Sequence, residues 1–154
     1  MREVIAKLPS GGILLIEEHA MLIIDSFKQN TLKDTESAGI LIGEYRGKHI
    51  RVVDATKPSL LDRSTRVSFD RRSPHHQRAA LSAWRTSGKI QTWIGEWHTH
   101  PENHPTPSQK DINCWKESLP SRPMVLLIQG RASYWLGILI DLNIVKVSVG
   151  SSDA

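Results

Sequence analysis

Two histidines one residue apart, His98 and His100, are followed a short distance later by Asp111, and all three are metal-ligand side chains. Lys89 to His100 reads as a strand, on which alternation puts Glu96, His98 and His100 on one side and Trp97 and Thr99 on the other. Two imidazoles so spaced can converge on one ion. Pro101 to Pro107 holds three prolines in seven residues and must be a loop that turns the chain back. The helix that follows begins at Ser108 and offers Asp111 within its first turn. Two nitrogens and one oxygen, with a fourth position left to water, is the ligand set of catalytic rather than structural zinc. Each half also has a plainer reading. A His-x-His pair occurs often on solvated strands, and Ser108-Gln109-Lys110-Asp111 is a helix capping box. The compound pattern, His98-Thr99-His100-Pro101, six residues, then Ser108-x-x-Asp111, is one that structural habit does not generate.

The elements that must position these residues are of mixed type. Ile13 to Ile16 reads as a short strand, and His19 to Asn30 carries Met21, Ile24 and Phe27 at helical spacing. Ala38 to Gly43 and His49 to Val53 form an expected hairpin with its turn near Arg46-Gly47. Lys57 to Ser73 is polar, basic and irregular except for a short extended candidate, Arg66 to Phe69. Ser73 as cap and Pro74 in the first position predict a helix running to about Thr86 and ending at Gly88. After the central strand, loop and Ser108–Leu119 helix, three strand candidates remain: Met124 to Ile128, Ser133 to Ile140 and Ile144 to Val149. This order predicts an α/β fold, a sheet flanked by helices, in a single domain over residues 1–154.

The segment Gly95-Glu96-Trp97-His98-Thr99-His100-Pro101 with Pro107-Ser108-Gln109-Lys110-Asp111 resembles the signature of the JAMM (MPN-plus, JAB domain) zinc metalloproteases. The family also places a glutamate upstream, before a small-residue pair and an apolar strand, and Glu36-Ser37-Ala38-Gly39-Ile40-Leu41-Ile42-Gly43 matches that pattern. The Glu-Trp before the histidines and Trp115 after the aspartate are similar to bacterial members, some found beside ubiquitin-like conjugation enzymes and in anti-phage signalling operons. The resemblance implies an MPN-like curved mixed sheet, Zn²⁺ held by His98, His100 and Asp111, Glu36 as general base, and Ser108 helping to stabilise the oxyanion. It also implies a substrate: a ubiquitin-like or otherwise conjugated protein, cleaved after its C-terminal tail, with conjugation enzymes encoded nearby as possible partners. Zinc chemistry fits these roles, since the metal lowers the pKa of water from near 16 toward roughly 7 and a glutamate can take and return the proton. An extended tail could add to a sheet edge, with Arg66 to Phe69 as one candidate. Glu44 and Glu96 are other acids to consider, and Glu96, on the histidine side, is a candidate acceptor that orients an imidazole.

Composition bounds the alternatives. A chain of 154 residues, 39% hydrophobic and 23% charged, can bury a core without staples. Its apolar runs are too short to cross a bilayer, no signal-peptide pattern opens the chain, and one cysteine, Cys114, cannot make an internal disulfide, so a cytoplasmic protein is expected. The net charge of +4 is mild, and its arginines read as a solvated face more readily than as a nucleic-acid patch. Cys114, three residues past Asp111, raises a Cys-His hydrolase as a rival mechanism, against the commoner inert thiol. His75 and His76 at a helix start read as solvated, and His104 as a loop residue near the site. The other functional readings are a hydrolase trimming a sulfur-carrier protein, a metal-free interaction scaffold and a DNA-associated protein.

Overall fold

In the computed structural model, residues 2–30, 36–58 and 74–150 are described. Val4–Lys7 (β1) and Ile13–Ile16 (β2) pair antiparallel, each burying alternate side chains, as a half-covered strand does. Glu18–Asp25 (α1) follows and buries Ala20, Met21 and Ile24 completely. Burial of Met21 and Ile24 contributes roughly 1.5–3 kcal/mol each. Ala38–Arg46 (β3) and His49–Ala55 (β4) form the expected hairpin, then Pro74–Thr86 (α2) leads to Thr92–Thr99 (β5) and Gln109–Ser118 (α3). The chain ends through Met124–Gln129 (β6), Tyr134–Ile140 (β7), Asn143–Lys146 (β8) and Ser148–Val149 (β9).

These strands form one nine-stranded sheet in the order β8-β7-β6-β5-β3-β4-β2-β1-β9. The β2–β4 and β5–β6 pairs are parallel and the others antiparallel, so the sheet is mixed. Strands β8 and β9 lie at opposite ends of that order, yet only Val147 separates them in the chain. The Val147 amide donates to Leu136 of β7 at 3.0 Å, and the Gly150 amide to Ile5 of β1 at 2.8 Å. The two edges are therefore brought together and the sheet curls on itself, with α1 packed inside against Leu14, Val52, Trp97, Leu127 and Leu136. A second cluster on the other face joins Trp115 of α3 to Met124, Leu126, Ile128, Trp135 and Leu139. Strand β6 feeds both clusters alternately, which is why Met124 to Ile128 is apolar without a break.

Several boundaries differ from expectation for local reasons. Helix α1 stops at Asp25, not near Asn30: the Phe27 and Lys28 amides bond back three residues, to Ile24 and Asp25, and Phe27 turns to meet the Trp97 ring at 5.9 Å. Strand β5 begins at Thr92, not Lys89, because Gly88 and Lys89 both have positive φ (71° and 70°) where α2 terminates. β1 has no counterpart in the sequence reading, and the single strand expected over Ile144 to Val149 is broken at Val147 into β8 and β9. The Ser73 cap and the Arg66 to Phe69 segment lie outside the described residues. Among the described residues no helix is long and apolar enough to cross a membrane.

Candidate metal centre

A bulge sets the aim of the central strand. In the β3–β5 ladder Leu41 faces Gly95 and Ile42 faces Trp93, so Ile94 is the extra residue. Ile94 and Trp97 thereby both join the inner core, while Trp93 turns to the outer cluster. From Glu96 onward the alternation is regular, as the sequence predicts: Trp97 points inward and His98 packs against Trp115 at 5.9 Å.

Helix α3 is fixed on that outer face by Trp115, which is 3% exposed and stacks on Trp135 with ring centres 5.8 Å apart. Asp111 lies one turn before Trp115 and points the same way, both being buried. The helix opens with a full capping box: Ser108 Oγ accepts the Asp111 amide at 3.0 Å, and the Ser108 amide donates to Asp111 Oδ2 at 2.9 Å. The capping reading of this segment thus holds, and the carboxylate that closes the box is the one the ligand reading singles out.

The predicted ligands come together. His98 Nε2 and His100 Nε2 are 3.1 Å apart, His100 Nε2 is 3.2 Å from Asp111 Oδ2, and His98 Nε2 is 3.5 Å from Asp111 Oδ1. Among the described residues this is the group of His, Cys, Asp and Glu whose ligand atoms all lie within 4.8 Å of one another. Donors around a four-coordinate ion with bonds of roughly 2.0–2.2 Å sit roughly 3.3–3.6 Å apart, so the spacing fits such an ion. The chemistry fits as well: a shared proton can join two of these atoms, whereas a cation can join all three. Burial alone would raise the Asp111 carboxyl, but hydrogen bonds from His100 and His98, the charge of His98 and the Ser108 amide outweigh it and hold the group well below the usual carboxylate range.

Glu36 lies two residues before β3. Ala38 pairs with His98, Thr99 N donates to Ser37 O at 3.0 Å, and Ser37 N donates to the Thr99 side-chain hydroxyl at 2.9 Å. Glu36 is the next residue back, and its Oε2 is shielded from solvent. It is not one of the three clustered ligands.

One expectation needs correction, that His76 is solvated, and the site's neighbours are placed as follows. Glu102, in the proline-rich loop, has its Oε1 2.8 Å from His100 Nδ1, and Glu96 is buried within β5. Glu102 was missed because a glutamate in a proline-rich loop carries no periodic signal. His104 Nδ1 lies 2.8 Å from Ser133 Oγ. His76 is fully buried, not solvated: its Nδ1 is 2.7 Å from Thr56 Oγ1, which also accepts the Ile40 amide, so it ties α2 to the start of β3. Cys114 is partly exposed, with Sγ 4.0 Å from Ser118 Oγ one turn along α3.

Comparison with known proteins agrees with this geometry. Residues 23–141 match the model of the prokaryotic homologs of the JAB domain. A Vibrio cholerae protein named CD-NTase/cGAS isopeptidase is 40% identical over 136 residues, covering 88% of this chain and 87% of its own. One of the same name from Escherichia coli is 35% identical, covering 87% and 86%. A probable metalloprotease of Sinorhizobium fredii is 30% identical, covering 67% and 68%. Among solved structures, a Desulfitobacterium hafniense protein superposes with a TM-score of 0.60 at 21% identity, covering 85% of this chain and 87% of that one, which shows a shared fold.

Proposed function

The chain belongs to the prokaryotic JAB-domain family, and from that premise we propose that it is a zinc-dependent isopeptidase which releases a conjugated protein by hydrolysing the bond after its C-terminal tail. The observation that carries this reading is the convergence of His98, His100 and Asp111 within ligand distance of one another. The relatives' name supports a CD-NTase-type protein as the conjugated partner, and with it a role in bacterial anti-phage signalling.

In this reading His98, His100 and Asp111 hold Zn²⁺, which when bound supplies Lewis acidity and brings the pKa of water down to roughly 7. The side chains around it do the rest. Glu36, with a carboxylate oxygen shielded from solvent, takes a proton from the attacking water and returns it to the departing amine. Ser108 accepts the Asp111 amide through Oγ, a bond that does not use the hydroxyl proton, so that proton can be donated to the charge developing on the carbonyl oxygen. Trp115 holds the His98 ring from the side.

The test is incubation with a CD-NTase conjugate, with and without a chelator, read by intact mass. Cleavage should stop with the chelator and return with Zn²⁺. Glu36→Ala should retain about one zinc per chain while turnover falls by roughly 10²–10⁴-fold, whereas His98→Ala and Asp111→Ala should lose the metal. A Glu36→Ala chain that cleaves at the wild-type rate refutes the base assignment.

A further inference from the structure

We propose that Glu102 is a positioning residue of the metal centre, holding the His100 ring so that Nε2 is presented to the ion as an electron-pair donor. The inference rests on the ligand reading above. An imidazole that donates Nδ1–H to an acceptor keeps a lone pair on Nε2. His100 is arranged for this division of labour: Nδ1 faces Glu102 Oε1 at 2.8 Å, while Nε2 faces His98 and Asp111. The two residues differ sharply in setting. The His100 side chain is 1% exposed and that of Glu102 is 50% exposed, so a carboxylate reaching in from the surface fixes a ring that solvent cannot reach.

The backbone keeps Glu102 in place independently of its side chain. Pro101 fixes φ between the two residues and so limits how they can sit relative to each other. Glu102 O accepts the Arg131 amide at 2.8 Å, and Asn103 O accepts the Ala132 and Ser133 amides, both at 3.0 Å. The β6–β7 turn presses this loop closely enough that a Cβ on Gly130 would sit 2.6 Å from Glu102 O and 2.5 Å from Pro105 Cδ. The loop is clamped to the sheet end, and the carboxylate is aimed by that clamp. Because the loop's main-chain bonds do not involve the Glu102 side chain, truncating that side chain should leave the fold intact.

The experiment compares Zn²⁺ binding to wild type, Glu102→Ala and Glu102→Gln by competition with a chromophoric chelator, alongside imidazole ¹⁵N spectra of the zinc-loaded proteins. Glu102→Ala should weaken Zn²⁺ binding by roughly 10–100-fold and lose the hydrogen-bonded His100 Nδ1–H signal. Glu102→Gln, whose amide oxygen can still accept, should retain the signal and bind zinc with intermediate strength. The metal-free thermal midpoints should agree, and a misfolded Ala variant leaves the Gln variant to decide. Wild-type zinc affinity and an unchanged Nδ1–H signal in Glu102→Ala overturn the proposal while leaving the isopeptidase reading standing. A wild-type chain that binds no zinc overturns both.

Discussion

Replacing Ser108 by alanine separates two contributions that its geometry combines. The hydroxyl accepts the Asp111 amide at 3.0 Å, so its loss removes one side of the capping box and leaves the other, Ser108 N to Asp111 Oδ2 at 2.9 Å, in place. Loss of such a cap costs about 1 kcal/mol, or about 2–4 °C in Tm for a chain of this size. That shift leaves a folded population nearly whole and cannot itself slow turnover more than slightly. A donor to the developing oxyanion, by contrast, is worth roughly 10²–10³ in kcat, about 2.7–4 kcal/mol. The two effects are thus separable by size. Urea unfolding of the metal-free chain reads the first, and kcat and KM on the conjugate at saturating Zn²⁺ read the second, with zinc affinity measured to show that Asp111 has not moved. Ser108→Thr, which keeps a hydroxyl, should stay near wild type in both. An alanine variant that turns over within threefold of wild type refutes the donor role, and an unchanged urea midpoint refutes the cap.

Two further perturbations test how the site is supported. Trp115→Ala removes a ring that is 3% exposed and stacked on Trp135, and should cost about 3–5 kcal/mol in urea unfolding and weaken Zn²⁺ binding by freeing both α3 and the His98 ring; a loss under about 1 kcal/mol would contradict the packing argument. Tyr45 donates its hydroxyl to Pro123 O at 2.5 Å, and burial raises its pKa, with the Arg122 charge and hydrogen bond opposing, so its protonated form stabilises the fold below the unfolded value near 10 and that stability fades as pH climbs through the raised value; Tyr45→Phe should cost about 1 kcal/mol at neutral pH and flatten the alkaline fall in stability above pH 10, as measured by urea midpoints at stepped pH.

The convergence of His98, His100 and Asp111 was legible because their spacing is locally encoded. His98 and His100 need only strand alternation to share a side, and Asp111 needs only a helix that starts at Ser108. The bulge at Ile94 lies upstream of the histidines and leaves their alternation intact, so the simple two-residue period held where it mattered. The parts that were not legible depend on contacts distant in sequence. β1 is four residues long and alternates like many solvated segments, and β9 has two residues that pair only because the curled sheet brings β1 beside them. Likewise His76 meets Thr56 across 20 residues, and nothing in the Pro74 helix start marks one of its two histidines for burial. Glu102 is the instructive case. Its partner is only two residues away, but the contact depends on a loop conformation imposed by the turn at Gly130, some 28 positions later.

Asp111 explains why fold and site need not compete here. An isolated buried carboxylate is costly, and one that waits for a metal would ordinarily be a liability in the metal-free chain. Here Oδ2 caps its own helix through the Ser108 amide and also faces His100, while Oδ1 faces His98. These partners outweigh desolvation, since the group is held ionised well below its ordinary range. In the proposed reading the helix start supplies a preformed anionic ligand, and an ion would meet a site whose entropy of assembly has been met by folding. Such a centre would differ from small metal domains in which the metal binds an unfolded chain and drives its folding. Metal binding should add stability only by mass action on a structure that already stands, because α3 is held by Trp115 and by its cap whether or not the ion is present.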